Sequence, residues 1–375
     1  MTAFEAIPGG SIGIVYRGVA YQYYWGYADV GRQRCMSAST VMEIGSITKT
    51  FTTALLAMAL AARPDLSLEQ NPARWIDVLS TGNAVGPNCP PPPQPSPVPA
   101  SAYGVMATMT IEMLATHTSG LPPDAFPPNA LREWPCYSSN EFVHFVETYP
   151  RARPAPTPPH PWKYSNAGFG TLGYVLQGVN RRSWLDQVKQ QILGPLHMAH
   201  TYGQGDAPRA AYATGYDCDG NRPVVHWPDN AWSASGSLRS TLPDMLVYLG
   251  AAMQQPGVPR AIAAAMKLAQ TPTGVITPGR GQQALAWSVD PVQGFDVIDK
   301  DGATAGFNSW IAMVAPASGT PQTGVVVLVN RAGVGIAPTP PPKCRPQLGI
   351  PAVQIGIAAL DALEGGDSSK ALRLR

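Results

Sequence analysis

Ser46 and Lys49 stand three residues apart in the run Glu43-Ile44-Gly45-Ser46-Ile47-Thr48-Lys49-Thr50-Phe51, just ahead of a long Ala/Leu-rich stretch. On a helix that spacing puts both side chains on one face, one turn apart. A deprotonated amine beside a hydroxyl is one way to make serine a nucleophile. A helix start adds free backbone N–H groups that favour negative charge. One short segment therefore offers a nucleophile, a proton acceptor and half of an oxyanion site. The pair alone decides little. With 22 Ser and 7 Lys in 375 residues, chance gives about 0.4 such pairs, and a serine capping a helix next to a solvated lysine has the same pattern. Ser46 with Lys49 is the one S-x-x-K match in the chain.

Two further segments change the balance. They are Trp162-Lys163-Tyr164-Ser165-Asn166-Ala167-Gly168-Phe169 and Ile298-Asp299-Lys300-Asp301-Gly302-Ala303-Thr304-Ala305-Gly306-Phe307. With Ser46-Ile47-Thr48-Lys49 they stand in the order S-x-x-K, Y-x-N, K-x-G. That ordered set resembles the serine β-lactamase and penicillin-binding superfamily. The tyrosine form of the middle motif is similar to the class C β-lactamase branch, with relatives among D-alanyl-D-alanine peptidases and esterases. Thr116-His117-Thr118-Ser119-Gly120-Leu121-Pro122 resembles the "LLTHTSGLP" segment of that branch, Leu193-Gly194-Pro195-Leu196-His197-Met198 its "PLGM" turn, and Ser240-Thr241-Leu242-Pro243-Asp244-Met245 its "STxxDM" helix start. The resemblance runs from about Pro8 to Asn330.

The resemblance implies roles. Ser46 is the nucleophile, and Lys49 and Tyr164 share the proton work. A phenol ionises near pH ~10, so Tyr164 needs cationic neighbours to act near neutrality; Lys49 and Lys300 would supply them. Asn166, whose amide both donates and accepts, would hold the acyl-side amide of the substrate and orient Lys49. Lys300 is expected on a strand edge facing the serine. Ala303, which follows Gly302, would give its backbone N–H to an oxyanion hole together with that of Ser46, a pair typically worth several kcal/mol in the transition state. No metal and no organic cofactor is needed.

Three departures bear on the substrate. The third motif is Lys300-Asp301-Gly302, where the family carries K-T-G and uses the hydroxyl on a substrate carboxylate. An aspartate there sets like charge against that carboxylate, unless Lys300 neutralises it. The glutamine that follows Leu-Pro in class C enzymes has its counterpart near Asp124. The asparagine after the last strand is replaced by Asn330-Arg331-Ala332. The leading expectation is a serine hydrolase working through an acyl-enzyme on amide bonds of β-lactams or D-alanyl peptides. A carboxylesterase on the same scaffold and a slow penicillin-binding sensor that acylates without turnover are the alternatives. His117 is expected to cap or pack beneath the cleft, and Tyr212, Tyr216 and Trp232 either line the cleft or simply pack.

Composition sets outer bounds. Apolar residues make up 45%, enough for a sizeable core, while charged residues are only 13% and the net charge is +2. Nucleic acid is an unsuitable partner for a chain without a block of like charge. A small-molecule or peptidoglycan-derived substrate and a monomeric state are expected. No transmembrane run is apparent, and no signal peptide precedes the first strand pattern. Because relatives act outside the cytoplasm, the expectation is a periplasmic or secreted protein whose export signal is absent. Cys35, Cys89, Cys136, Cys218 and Cys344 show no metal spacing; Cys89 and Cys344, both in Pro-rich insertions, are the first candidates for a bridge.

Positioning these groups requires strands from both ends of the chain. Ser11–Tyr16 and Ala20–Trp25 read as strands around an Arg17-Gly18 turn. Ile47–Ala62 reads as a helix capped by Ser46. Thr110–His117, Ser139–Tyr149, Ala167–Asn180, Ser183–Leu193, Pro243–Gln254 and Pro259–Gln270 read as helices, and 84–100 as a Pro-rich loop. Ala284–Val289, Phe295–Asp299, Ser309–Val314 and Gly324–Asn330 read as strands, and Ala352–Leu363 as a terminal helix. The expected fold is α+β, of the α/β-sandwich type: an antiparallel sheet from N- and C-terminal segments, flanked by helices. Residues 1–62 and 241–375 would form that part and 63–240 a mostly helical part, with the active site in the cleft between them.

Overall fold

The structure is a computed structural model, and it describes residues 7–76, 106, 108–123, 161–203, 206–227, 232–292, 295–316, 319–333 and 351–364. The helix expected at 139–149, the loop at 84–100, Asp124 and the Cys89–Cys344 pairing lie outside the described residues. Cys218 is disulfide-bonded and Cys35 is a free, exposed thiol.

Nine strands form one antiparallel sheet: β1 (Gly9–Tyr16), β2 (Val19–Asp29), β3 (Arg34–Cys35), β4 (Val275–Ile276), β5 (Gln282–Gln283), β6 (Ser288–Val292), β7 (Phe295–Ala303), β8 (Asn308–Val314) and β9 (Thr323–Val329). Their order is β3-β2-β1-β9-β8-β7-β6-β5-β4. β1 and β9 are neighbours, with Gly10 opposite Val329. Arg17 (φ 50) and Gly18 (φ 81) close the β1–β2 hairpin, the positive-φ pair that a two-residue turn between twisted strands requires. β9 is buried along its whole length, which accounts for its unbroken apolar run.

Among the described residues the α-helices are α1 (Thr48–Ala62), α2 (Ile111–Ala115), α3 (Asn166–Asn180), α4 (Trp184–Val188), α5 (Ser233–Gly236), α6 (Leu242–Ala252), α7 (Arg260–Ala269) and α8 (Pro351–Leu363). α8 covers one face of the sheet, where Ala352, Val353, Ile357 and Leu360 join Val297, Trp310, Val325 and Val327 in a small core. The other face meets the main core, which holds α1, α3, α6 and α7. α1 is buried on nearly all sides, as an all-round apolar helix must be. Taken with the preceding turn, Gly45–Ala62 is long and apolar enough to cross a membrane by composition. Here it is a core helix, mostly buried inside the fold.

Two of the boundaries that differ from expectation are instructive. Ser46 does not cap α1: it sits in a 3₁₀ turn, Gly45–Ile47, and Ile47 precedes the helix without a side-chain cap. The Ser46 hydroxyl is engaged elsewhere, as described below. Ala284–Trp287, expected in a strand, instead forms a buried turn with Ala286 at φ 68, and the strand begins at Ser288.

Candidate active site

Two side chains converge on the Ser46 hydroxyl. Lys49, one turn along, places Nζ 2.9 Å from Ser46 Oγ. Tyr164, in the segment leading into α3, places its hydroxyl 2.6 Å from the same oxygen. Lys49 is fully buried and also donates to Asn166 Oδ1 at 2.7 Å and to the Ser235 carbonyl at 2.6 Å. Asn166 Oδ1 thus holds the amine in place. The Ser235 carbonyl was not foreseen, because a main-chain oxygen carries no side-chain signature in a sequence. Ser165, between Tyr164 and Asn166, caps α3 by accepting from Gly168 N at 2.9 Å. That cap fixes where Tyr164 leaves the helix.

The third motif reaches the serine through backbone contact. β7 pairs with β8 as far as Ala303 but with β6 only as far as Asp299. From Lys300 onward its other edge faces the serine turn. The approach is tight at two glycines. A Cβ on Gly45 (φ +49) would lie 2.6 Å from Ala303 N, and one on Gly302 would lie 2.1 Å from Ile44 O and 3.0 Å from Ser46 N. Ser309 Oγ, donating to Ile44 O at 2.8 Å, ties the turn to β8. The N–H groups of Ser46 and Ala303 are thereby held in one small neighbourhood.

His117 supports the tyrosine from beneath. Its ring lies 4.4 Å from that of Tyr164 and 5.0 Å from that of Phe169, and its Nδ1 accepts from Ser165 N at 3.0 Å. It therefore packs under the cleft. Burial first, then the charges of Lys49 and Lys300, hold its pKa well below the ordinary histidine value. The unfolded chain takes up that proton near pH ~6.5 while the folded chain does not, so this contribution to stability is present above that pH and is lost as pH falls through it. Thermal stability should drop on acidification through this window. His117→Asn, which keeps an acceptor and tolerates the positive φ of 60, should flatten the slope. An unchanged slope in melting curves would show that another group sets it.

Lys300 Nζ lies 5.5 Å from the Tyr164 ring centroid, 2.8 Å from Asp301 O and 3.1 Å from Asp301 Oδ1. Burial acts to lower the Lys300 pKa, but the charges of Asp301 and Tyr164 outweigh it and hold the ammonium above its ordinary value. Burial likewise acts to raise the Asp301 pKa, and Lys300 and Arg280 overcome it, leaving the carboxylate well below the usual range. Lys300 and Arg280 both lie beside the Asp301 carboxylate, which stays ionised. Arg280 was missed in the sequence, since it sits in a turn some twenty residues upstream. Of the cleft aromatics, Tyr216 and Trp232 are buried, with Trp232 against Gly170 and the Tyr216 hydroxyl on Val30 N at 2.8 Å; they pack. Arg331 is buried too, donating to Cys218 O at 2.7 Å. No group of metal-ligating side chains occurs among the described residues.

Residues 1–338 match the protein family described as Beta-lactamase. A beta-lactamase of Escherichia coli (strain K12) is 24% identical over 359 residues, covering 87% of this chain and 85% of that protein. Protein flp of Staphylococcus aureus (strain N315) is 29% identical over 238 residues, 63% of this chain and 43% of that one. Among solved structures, a class C beta lactamase from Rhodobacter sphaeroides superposes with a TM-score of 0.67 at 25% identity, covering 88% of this chain and 93% of that chain. The D-alanine carboxypeptidase AmpC of Burkholderia cenocepacia gives a TM-score of 0.70 at 23% identity, covering 88% and 90%.

Proposed function

The chain belongs to the Beta-lactamase family, and from that premise we propose that it is a serine acyl hydrolase whose nucleophile is Ser46. One observation carries the reading: the Ser46 hydroxyl lies within hydrogen-bond reach of both a buried amine and a phenol, at 2.9 and 2.6 Å. Ser46 Oγ attacks the substrate carbonyl and gives its proton to the Lys49–Tyr164 pair. Negative charge on the carbonyl oxygen is met by the N–H groups of Ser46 and Ala303. As the tetrahedral intermediate collapses, Tyr164 returns the proton to the leaving nitrogen and the C–N bond breaks. Water then attacks the acyl-enzyme, loses a proton to the same pair, and releases the acid and the free serine.

The proposed substrates are amide bonds of β-lactams or D-alanyl peptides, in keeping with the beta-lactamases and the D-alanine carboxypeptidase among its relatives. The cleft lies between residues 1–62 with 241–375 and the helical part at 63–240. A monomer acting in the periplasm or outside the cell suits both that substrate class and the disulfide at Cys218.

Three substrates and a mass spectrometer test the reading. The protein is mixed with a chromogenic cephalosporin, a short-chain nitrophenyl ester and a D-alanyl dipeptide, and intact mass is recorded at short times. Turnover or an acyl adduct in the native chain, with neither in Ser46→Ala, is expected. Adduct without turnover would identify a slow penicillin-binding protein. Neither signal in the native chain would overturn the hydrolase reading.

A further inference from the structure

Around the third motif lies a charge cluster that acyl transfer itself does not require. Arg280 occupies the turn between β4 and β5. Its guanidinium is 2.6 Å from Asp290 Oδ2, 2.8 Å from Asp299 Oδ1 and 3.7 Å from Asp301 Oδ1. Asp290 is buried on β6 and also accepts from Gly281 N at 2.8 Å. Asp299 is buried on β7 and accepts from Trp310 Nε1 at 3.1 Å. Lys300 Nζ, as above, is on Asp301 Oδ1 at 3.1 Å. The cluster therefore holds two cations, Arg280 and Lys300, against three carboxylates, and its formal charge is −1.

The place of this cluster relative to the reaction follows from Tyr164. If the phenol hands the proton to the departing group, that group must lie beside Tyr164, hence beside Lys300 and the exposed edge of Asp301, whose side chain is 28% accessible. Ala303 and Asp301 are two residues apart on one strand, roughly 7 Å along it. A substrate with its carbonyl oxygen at Ala303 N–H therefore runs its leaving side past Asp301. A carboxylate there meets a lysine already engaged by a protein carboxylate and, beside it, the Asp301 carboxylate itself.

Resting on the acyl-enzyme reading above, we infer that Asp301 disfavours a carboxylate on the leaving side of the substrate, so that of two acyl donors differing by that one charge the uncharged one is turned over faster. Arg280 is a positioning residue in this scheme. It touches no substrate; it holds Asp301 at the edge while compensating Asp290 and Asp299 below.

The test uses two esters that differ by one charge, 3-carboxyphenyl butyrate and 3-carbamoylphenyl butyrate, with rates corrected for their hydrolysis by hydroxide. The ratio of kcat/KM values for two substrates does not depend on the fraction of enzyme that is folded. The native chain should favour the carbamoyl ester by roughly tenfold or more, the scale of a like-charge contact partly screened by water. Asp301→Asn, which makes the cluster neutral, should bring the corrected ratio close to one. Arg280→Gln, which makes it −2, should widen the preference, and Arg280→Lys should restore the native ratio. A packing defect would not move the two variants in opposite directions. A native preference for the carboxylate ester, or a ratio unmoved by Asp301→Asn, overturns the inference while leaving the hydrolase intact. Absence of a Ser46 acyl adduct with the uncharged ester overturns the acyl-enzyme reading, and this inference with it.

Discussion

Lys49→Met is expected to lower kcat/KM by roughly 10³- to 10⁴-fold, the upper range for losing a positioned acid–base group. Methionine fills a similar volume with an unbranched chain, so the packing around α1 is retained. What disappears is the nitrogen that bridges Ser46 Oγ, Asn166 Oδ1 and the Ser235 carbonyl. Two buried acceptors then lack this donor, a cost of about 1–3 kcal/mol each at most, and desolvation of a fully buried amine is relieved in return. The melting temperature should therefore shift by only a few degrees while turnover collapses. The fall should be mainly in kcat, because the amine acts when the proton moves and not when substrate docks. A variant retaining more than a tenth of native kcat/KM would show that Tyr164 alone carries the proton.

Gly302→Ala should be the second most damaging change, although alanine adds a single carbon to a residue with no side-chain chemistry. That carbon would sit 2.1 Å from Ile44 O, 2.4 Å from Ser309 Oγ and 3.0 Å from Ser46 N. Two of these atoms are backbone and cannot rotate aside, so β7 and the serine turn must part. Misplacing one oxyanion donor typically costs 10²–10³ in kcat, and overpacking adds about 1–3 kcal/mol of lost stability. Gly45→Ala should behave alike for a double reason: its Cβ meets Ala303 N at 2.6 Å and its φ is +49. Gly274→Ala supplies the contrast. Its φ of +82 is equally unsuited to alanine, but nothing lies within 4 Å of the added carbon. Stability should fall there with little change in kcat. Equal kcat losses at all three positions would mean that strain, not contact, is responsible.

The groups proposed as catalytic could be read from the sequence because their spacing is local and their chemistry is restrictive. Ser46 with Lys49, and Tyr164 with Asn166, each occupy a single turn of chain, and the structure brings Lys49 and Tyr164 to the Ser46 hydroxyl and Asn166 to the Lys49 amine. The hairpin at Arg17-Gly18 was legible for a similar reason, since few residue pairs accept two positive φ values in succession. The errors arose where tertiary contact overrides local preference. Ser46 has the composition of a helix cap, yet its hydroxyl is drawn to Lys49 and Tyr164, and the helix begins two residues later. Ala284–Trp287 has the apolarity of a strand, but its burial comes from a turn packed against α1 and α7. Arg280 left no trace, because an arginine in a Pro-Gly-rich turn looks solvated until the fold sets two buried aspartates beneath it. The Ser235 carbonyl was invisible in principle.

The adjacency of β1 and β9 has a consequence for how the enzyme comes into being. Gly10 faces Val329 across the central ladder, and the serine turn leans on Gly302 and Ser309. During synthesis the first strand therefore emerges long before the strand it must pair with. Such distant pairings slow folding, and the close approach of Ser46 N and Ala303 N cannot form before β7 and β8 have been made. The turn that carries Ser46 is thus made well before the strands it rests on.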